Sequence, residues 1–279
     1  ATKGVYELGS VFKTFTLAAG LQENVIQEDT LFKNLPKKIK CAGRSISEYD
    51  MDIPSSLTAE EILIRSGNIG SIKIAQKVGL ENFKDFLENL DLLNKIQFDI
   101  EEVGNPIPFK WGKCKLATSA YGHGITTTPL QLAKAYAIIA NGGYKIKPTL
   151  VKKEKNSKRG EQIITQENSN KINEILRKIV TSEQGTANLA NIAGYEIAGK
   201  TGTAQKSIKG KYSKKKINTF ASIFPISSPK YVLIVLLDEP KLSETYIYEY
   251  NDGKKRKIIG TPFNTCLLYT SPSPRDRIR

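Results

Sequence analysis

The 279-residue chain is 39% hydrophobic and 25% charged, a balance that excludes a disordered chain, and no apolar run reaches the ~18 residues a membrane-spanning helix needs. Its formal net charge of +14 raises a nucleic-acid partner, but the lysines fall in loop-like runs over 152–155, 206–216 and 254–257, without interleaved aromatic platforms. Solvated loops are therefore the reading, and no nucleic acid is expected.

Taken in chain order, a helix opens at Ser10 and runs to about residue 21, with Val11, Phe12, Phe15, Ala18 and Ala19 on its buried face. Residues 23–54 are mixed and loop-rich. Thr58-Ala59-Glu60-Glu61 is a capping box that opens a helix ending near Ser66-Gly67. Further helices are predicted over 69–78, stopped by Gly79, and over 81–90. Gly104, Pro106 and Pro108 mark 99–112 as an irregular loop. Thr128-Pro129 opens a helix stopped by Gly142-Gly143; a polar loop covers 152–160, and an amphipathic helix covers 168–180. Strands follow over 196–205, 219–224 and 231–237, with connections short enough for antiparallel hairpins. The expected fold class is α/β (α+β), a mainly antiparallel sheet flanked by helices. Residues 266–279 break the pattern and are set aside as a Ser/Pro linker or a non-native junction, a non-native or disordered tail in either case.

Three motifs in a fixed order carry chemistry. Ser10-x-x-Lys13 places a nucleophile and an amine one helical turn apart, on the same side. Taken alone it is weak, because S-x-x-K also occurs at Ser213 and Ser227. Ser66-Gly67-Asn68 can set a proton-relay hydroxyl and an amide into one cleft. An ordinary turn of good turn formers is the bland alternative. Lys200-Thr201-Gly202-Thr203 lies on a strand, where alternation puts Lys200 and Gly202 on one face and Thr201 and Thr203 on the other. Gly202 is expected to leave room for a substrate backbone. A serine attacks only if something removes its proton. His123 is the sole histidine, which rules out a histidine-rich metal site and turns the search for a base toward lysine. Lys13 must then be enclosed, within reach of Ser10, and near the second cation Lys200. Backbone N–H groups of Ser10 and Thr203 are the expected oxyanion donors. Cys41, Cys114 and Cys266 show no C-x-x-C spacing and cannot all pair with one another.

These motifs, with Tyr6-Glu7-Leu8-Gly9-Ser10-Val11-Phe12-Lys13, Tyr121-Gly122-His123-Gly124, Thr128-Pro129-Leu130-Gln131-Leu132-Ala133 and Ala198-Gly199-Lys200-Thr201-Gly202-Thr203-Ala204, resemble the transpeptidase domain of class B penicillin-binding proteins. The resemblance covers roughly 1–265 and is most similar to the division-specific (septal) branch, whose elongation counterpart usually carries an acidic residue where Asn68 stands. It implies the penicillin-binding transpeptidase / serine β-lactamase-like fold, truncated here at both ends. It also implies a peptidoglycan D,D-transpeptidase that cross-links stem peptides through a serine acyl-enzyme and is acylated by β-lactams. No cofactor or metal is implied. Ser10, Lys13, Ser66, Asn68 and Lys200 would be catalytic, and Thr201, Gly202, Thr203, Tyr121 and His123 would bind substrate; an incidental imidazole in a structural glycine loop is the alternative for His123. A SEDS-type glycosyltransferase and other division proteins are the implied partners. The implied location is the periplasmic face of the bacterial inner membrane, with the anchor outside this sequence.

Three alternatives share the motifs. A serine β-lactamase needs a glutamate-held water, for which Glu101 or Glu102 is the candidate. A D,D-carboxypeptidase differs in passing the acyl group to water. A non-catalytic β-lactam sensor would be acylated once.

Overall fold

The computed structural model describes residues 1–152, 159–208 and 211–241, together with two short strands over 248–249 and 255–256. The first helix begins later than the sequence suggests. Gly9–Phe12 forms a 3-10 turn, and α1 follows over Lys13–Gln22. Every residue from Lys13 to Leu21 is buried, so α1 is a central helix wrapped on all sides, in keeping with its largely uncharged sequence. It packs against α2 (Ala59–Ile64), α3 (Asn68–Val78), α4 (Leu80–Asn89) and α7 (Gln166–Thr181).

Local chemistry fixes the helix ends. The Thr58 and Glu61 pair closes a capping box on α2. Gly79 stops α3 at φ 86°, in the left-handed region that glycine adopts at little cost. Thr128 and Gln131 cap α6 (Pro129–Ala140), with Pro129 at its first turn. The Gln131 amide also donates to the carbonyls of Asp91 and Asn94, both at 2.8 Å, and so ties α6 to the loop after α4.

The main sheet is antiparallel, in the order β5-β6-β7, from Ala198–Ile208, Lys211–Phe224 and Tyr231–Asp238. Its register sets Lys200 opposite Ala221, Thr201 opposite Phe220 and Thr203 opposite Asn218. α7 packs on β5, and α6 packs on β6 and β7. Helices against an antiparallel sheet is the expected architecture.

One expectation fails here and another is refined. The lysine run over 206–216 is not a solvated loop: the hairpin arms extend into it. Lys206 pairs with Asp238 and Glu239 at 2.9 and 2.8 Å, and Lys215 pairs with Glu239 at 2.7 Å. Cross-strand charge partners thus offset a composition that reads as poor strand. The 23–54 segment also holds more than loop. β1 (Leu31–Phe32) pairs with β4 (Leu57–Thr58), and β2 (Lys38–Cys41) forms a hairpin with β3 (Arg44–Ser47). Strands this short leave no periodicity to read.

A short helix, α5 (Lys113–Ser119), also follows the predicted 99–112 loop. A disulfide joins Cys41, at the end of β2, to Cys114 in α5, with Cα atoms 5.6 Å apart. Cys266, the 266–279 tail and most of the predicted 152–160 loop lie outside the described residues.

Candidate active site

A cleft of about 520 Å³ is lined by Ser10, Lys13, Ser66, Asn68, Tyr121, His123, Thr201 and Thr203, among others. Three elements meet there: the nucleophile turn, the α2–α3 turn and strand β5. Their close approach depends on glycine. A Cβ on Gly202 would run into the Leu8 carbonyl oxygen, and one on Gly9 into that of Thr203. Gly9 also has φ 63°, which few L-residues adopt. The space beside Gly202 therefore receives the nucleophile turn, not a substrate backbone as the sequence suggests. Tyr136 steadies the same turn from α6: its hydroxyl donates to the Val11 carbonyl at 3.0 Å and shares a hydrogen bond with Thr14 at 2.9 Å.

Lys13 opens α1, and its backbone N–H donates to the Ser10 carbonyl, which holds the two residues one turn apart. Its side chain is enclosed, at 2% exposure. Burial lowers its amine to about 7, against a smaller upward pull from Glu48. Lys200 is fully buried, and burial followed by the neighbouring charge of Lys13 holds it well below the usual lysine range. The two amines meet at one hydroxyl: Lys13 Nζ donates to Ser66 Oγ at 3.1 Å, and Lys200 Nζ donates to it at 2.9 Å. Lys13 also donates to the Ser66 carbonyl at 2.5 Å.

The enclosure of Lys13 and its proximity to Lys200 follow the expectation; its direct partner does not. Among the described residues, Lys13 hydrogen-bonds Ser66, not Ser10, so the hydroxyl of Ser66 stands between the two amines. Ser66 has φ 59°, an uncommon conformation for a non-glycine residue. That conformation turns it sharply out of α2 toward both amines.

Asn68 starts α3 and is held from a distance. Its side-chain amide donates to the Ser47 carbonyl at 2.9 Å. The Glu48 carboxylate accepts from the backbone N–H groups of Asn68 at 2.6 Å and Ile69 at 2.8 Å. Across the cleft, Thr201 Oγ1 shares a hydrogen bond with Thr186 Oγ1 at 2.9 Å. Alternation along β5 holds: Thr201 and Thr203 line the cleft, while Lys200 reaches Ser66 from beneath.

Tyr121 and His123 are brought to the cleft rim. The imidazole stacks between Tyr121, at 5.8 Å between ring centroids, and Tyr212, at 4.5 Å. Burial pushes the Tyr121 hydroxyl up to about 12. Glu7 organises this corner. Its carboxylate accepts from the Gly124 N–H at 2.8 Å and the Tyr212 hydroxyl at 2.9 Å, and His123 Nδ1 lies 3.7 Å away.

Sequence reasoning missed Glu7, Glu48, Thr186 and Tyr212 as site residues. Glu7, three residues before Ser10, carries a positional hint; the others carry no local signal. Glu101 and Glu102 are exposed and do not line the cleft. Among the described residues no group of three or more His, Cys, Asp or Glu side chains gathers as a metal site would.

Two desolvated amines sharing one serine hydroxyl, in a cleft that a second serine and an extended strand also line, can move the proton that serine acyl transfer requires. The family model described as penicillin binding protein transpeptidase domain matches residues 1–264, and the chain belongs to that family. It is 31% identical over 252 residues to "Probable peptidoglycan D,D-transpeptidase FtsI" of Caulobacter vibrioides, covering 86% of this chain and 42% of the relative. It is 30% identical to "Peptidoglycan D,D-transpeptidase FtsI homolog" of Mesostigma viride, covering 85% and 46%. The chain thus spans about half the length of these curated relatives. Among solved structures, the TP domain of Burkholderia pseudomallei penicillin-binding protein 3 superimposes with a TM-score of 0.82 at 25% identity, covering 96% of this chain and 79% of that one.

Proposed function

We propose that this chain is the catalytic part of a septal peptidoglycan D,D-transpeptidase, working through an acyl-enzyme on Ser10. The observation that carries the proposal is the Ser66 hydroxyl held between two buried amines on the floor of the cleft that Ser10 lines. At neutral pH one amine of this pair can be unprotonated, because burial disfavours two ammonium charges side by side.

In the proposed reaction Ser10 Oγ attacks the carbonyl carbon of the D-Ala-D-Ala bond, and its proton passes to neutral Lys13, with Ser66 as relay. The N–H groups of Ser10 and Thr203 hold the resulting oxyanion; single donors of this kind are typically worth ~10²–10³ in rate. The C–N bond breaks, the departing D-Ala amine takes the proton back through Ser66, and the acyl group stays on Ser10. An amine of a second stem peptide then attacks the ester, and Ser10 recovers its proton. Thr201 and Thr203, with the positive field of Lys200, suit the terminal carboxylate of the donor. β5 ends the sheet order among the described residues, so its edge suits pairing with an extended peptide. Tyr121 and His123 would line the stem-peptide path, Asn68 would hold the substrate amide or Lys13, and Gly202 would admit the nucleophile turn.

Two features bear on the alternatives. Neither Glu101 nor Glu102 is placed to hold a deacylating water, which weighs against a β-lactamase of that type. The Cys41–Cys114 bridge suits an oxidising compartment, in line with the periplasmic side of the inner membrane. β-Lactams as covalent inhibitors, and a SEDS-type glycosyltransferase with other division proteins as partners, complete the reading.

The test is a synthetic pentapeptide ending in D-Ala-D-Ala, incubated with the protein and an excess of an amino-acceptor peptide. Cross-linked product with release of D-Ala is expected. Release with only the hydrolysed tetrapeptide would assign a carboxypeptidase instead.

A further inference from the structure

The loop after β3 carries a buried carboxylate that the reaction above does not use. Glu48 is 7% exposed, and among the described residues no cation forms an ion pair with it. Its two oxygens are satisfied by the backbone N–H groups of Asn68 and Ile69, one oxygen each, at 2.6 and 2.8 Å. These are the first residues of the eleven-residue α3, whose own N-cap, Gly67, has no side chain to offer. A carboxylate there meets free N–H donors and the positive end of the helix dipole together.

The same segment holds the side chain of Asn68, through the Ser47 carbonyl. The segment itself is braced: the Glu48 N–H donates to the Lys37 carbonyl at 2.9 Å, and the hairpin before it is bridged to α5 by Cys41–Cys114. Asn68 is thus gripped on backbone and side chain by two consecutive residues twenty positions upstream.

We propose that Glu48 is a positioning residue for the acyl-transfer site, capping α3 from outside so that Ser66 and Asn68 face Lys13, and supplying the negative charge that balances the buried amines. This rests on the reading of the site given above. The charged groups coupled to Lys13 are Glu48, from the loop after β3, and Lys200, from β5; Asp50, Arg65, His123 and Lys216 also line the cleft that Lys13 borders. Glu48 pulls the Lys13 amine upward, against the larger effect of burial.

Neutralising the charge and breaking the grip have different signatures. In Glu48→Gln the amide can accept only one of the two N–H bonds, and its own NH₂ opposes the other. Acylation by benzylpenicillin is expected to slow about 10–100-fold, the size of effect that a misplacement of about 1 Å produces. The acid limb of its pH profile is expected to move to lower pH, because Lys13 loses the charge that favours its protonated form. Glu48→Asp keeps the charge on a shorter arm and is expected to keep the wild-type limb while remaining slow. A purely structural role would lower the rate equally at every pH and leave the limb in place.

The measurement is the acylation rate of wild type and both variants from pH 5 to 9, with thermal unfolding of each alongside. A folded Glu48→Gln protein with the wild-type rate and limb would overturn the proposal. If Glu48→Gln does not fold, Glu48→Ala is measured in its place: slow acylation with the acid limb moved to lower pH supports the proposal, and a wild-type rate or an unmoved limb overturns it. Failure of wild type itself to be acylated would overturn the reading of the site, and with it this inference.

Discussion

Replacing Lys13 with methionine separates the chemistry of the site from its stability. The amine is 2% exposed and lowered by burial from 10.5 to about 7. Holding it protonated in the fold therefore costs about 5 kcal/mol, at roughly 1.4 kcal/mol per unit. Between pH 7 and 10.5 the unfolded chain keeps a proton that the folded chain has released. Wild-type stability must then rise with pH across that window, and the full cost is present only below about pH 7. Methionine fills a similar volume and has no proton to lose. The stability advantage of Lys13→Met should accordingly be largest below pH 7 and shrink by about 2 kcal/mol between pH 7 and pH 9. Lys200, lowered by burial and by Lys13, acts in the same direction. Urea unfolding of both proteins from pH 6 to pH 9 measures the gap. Penicillin acylation of the variant should meanwhile fall by at least ~10²-fold, as expected when a general base is lost. A stability gap that does not change with pH would mean that the amine is not perturbed, and the assignment of Lys13 as a neutral base would fail.

Two further perturbations probe the frame around the site. The Cys41–Cys114 bridge closes a 73-residue separation, so Cys41→Ser with Cys114→Ser should lower stability by about 4 kcal/mol on the loop-entropy account. Denaturant midpoints with and without reductant check this, and reductant should leave the double variant unchanged. Gly202→Ala would push a methyl group into the Leu8 carbonyl, at a cost of about 1–3 kcal/mol. Acylation should slow with it, because the nucleophile turn must shift away from β5; a variant that keeps wild-type stability and rate would contradict the packing described for that glycine.

Much of this site can be read along the chain, because its parts are short and local. Ser10 and Lys13 are one turn apart, Ser66 and Asn68 two residues apart, and Lys200 to Thr203 follow strand alternation. Helix ends were equally legible at Thr58, Gly79 and Thr128, where capping chemistry is local. The supports were not. Glu48 caps α3 from twenty residues away, Cys41 finds Cys114 across 73, and Glu7 meets Tyr212 across most of the chain; no sequence period encodes such pairs. The hairpin over 206–216 was hidden for another reason. Its lysines look solvated until Asp238 and Glu239 are seen beside them. The Lys13 contact shows a finer limit: spacing gives proximity to Ser10, but only the fold reveals Ser66 between the two amines.

The central claim is that Ser10 is the acyl-accepting nucleophile, and intact-mass analysis after incubation with benzylpenicillin tests it most directly. Wild type should gain the mass of one penicillin and keep it, while folded Ser10→Ala should gain none. An adduct of equal size on the Ser10→Ala protein, or a folded wild type that stays unmodified, would contradict the account.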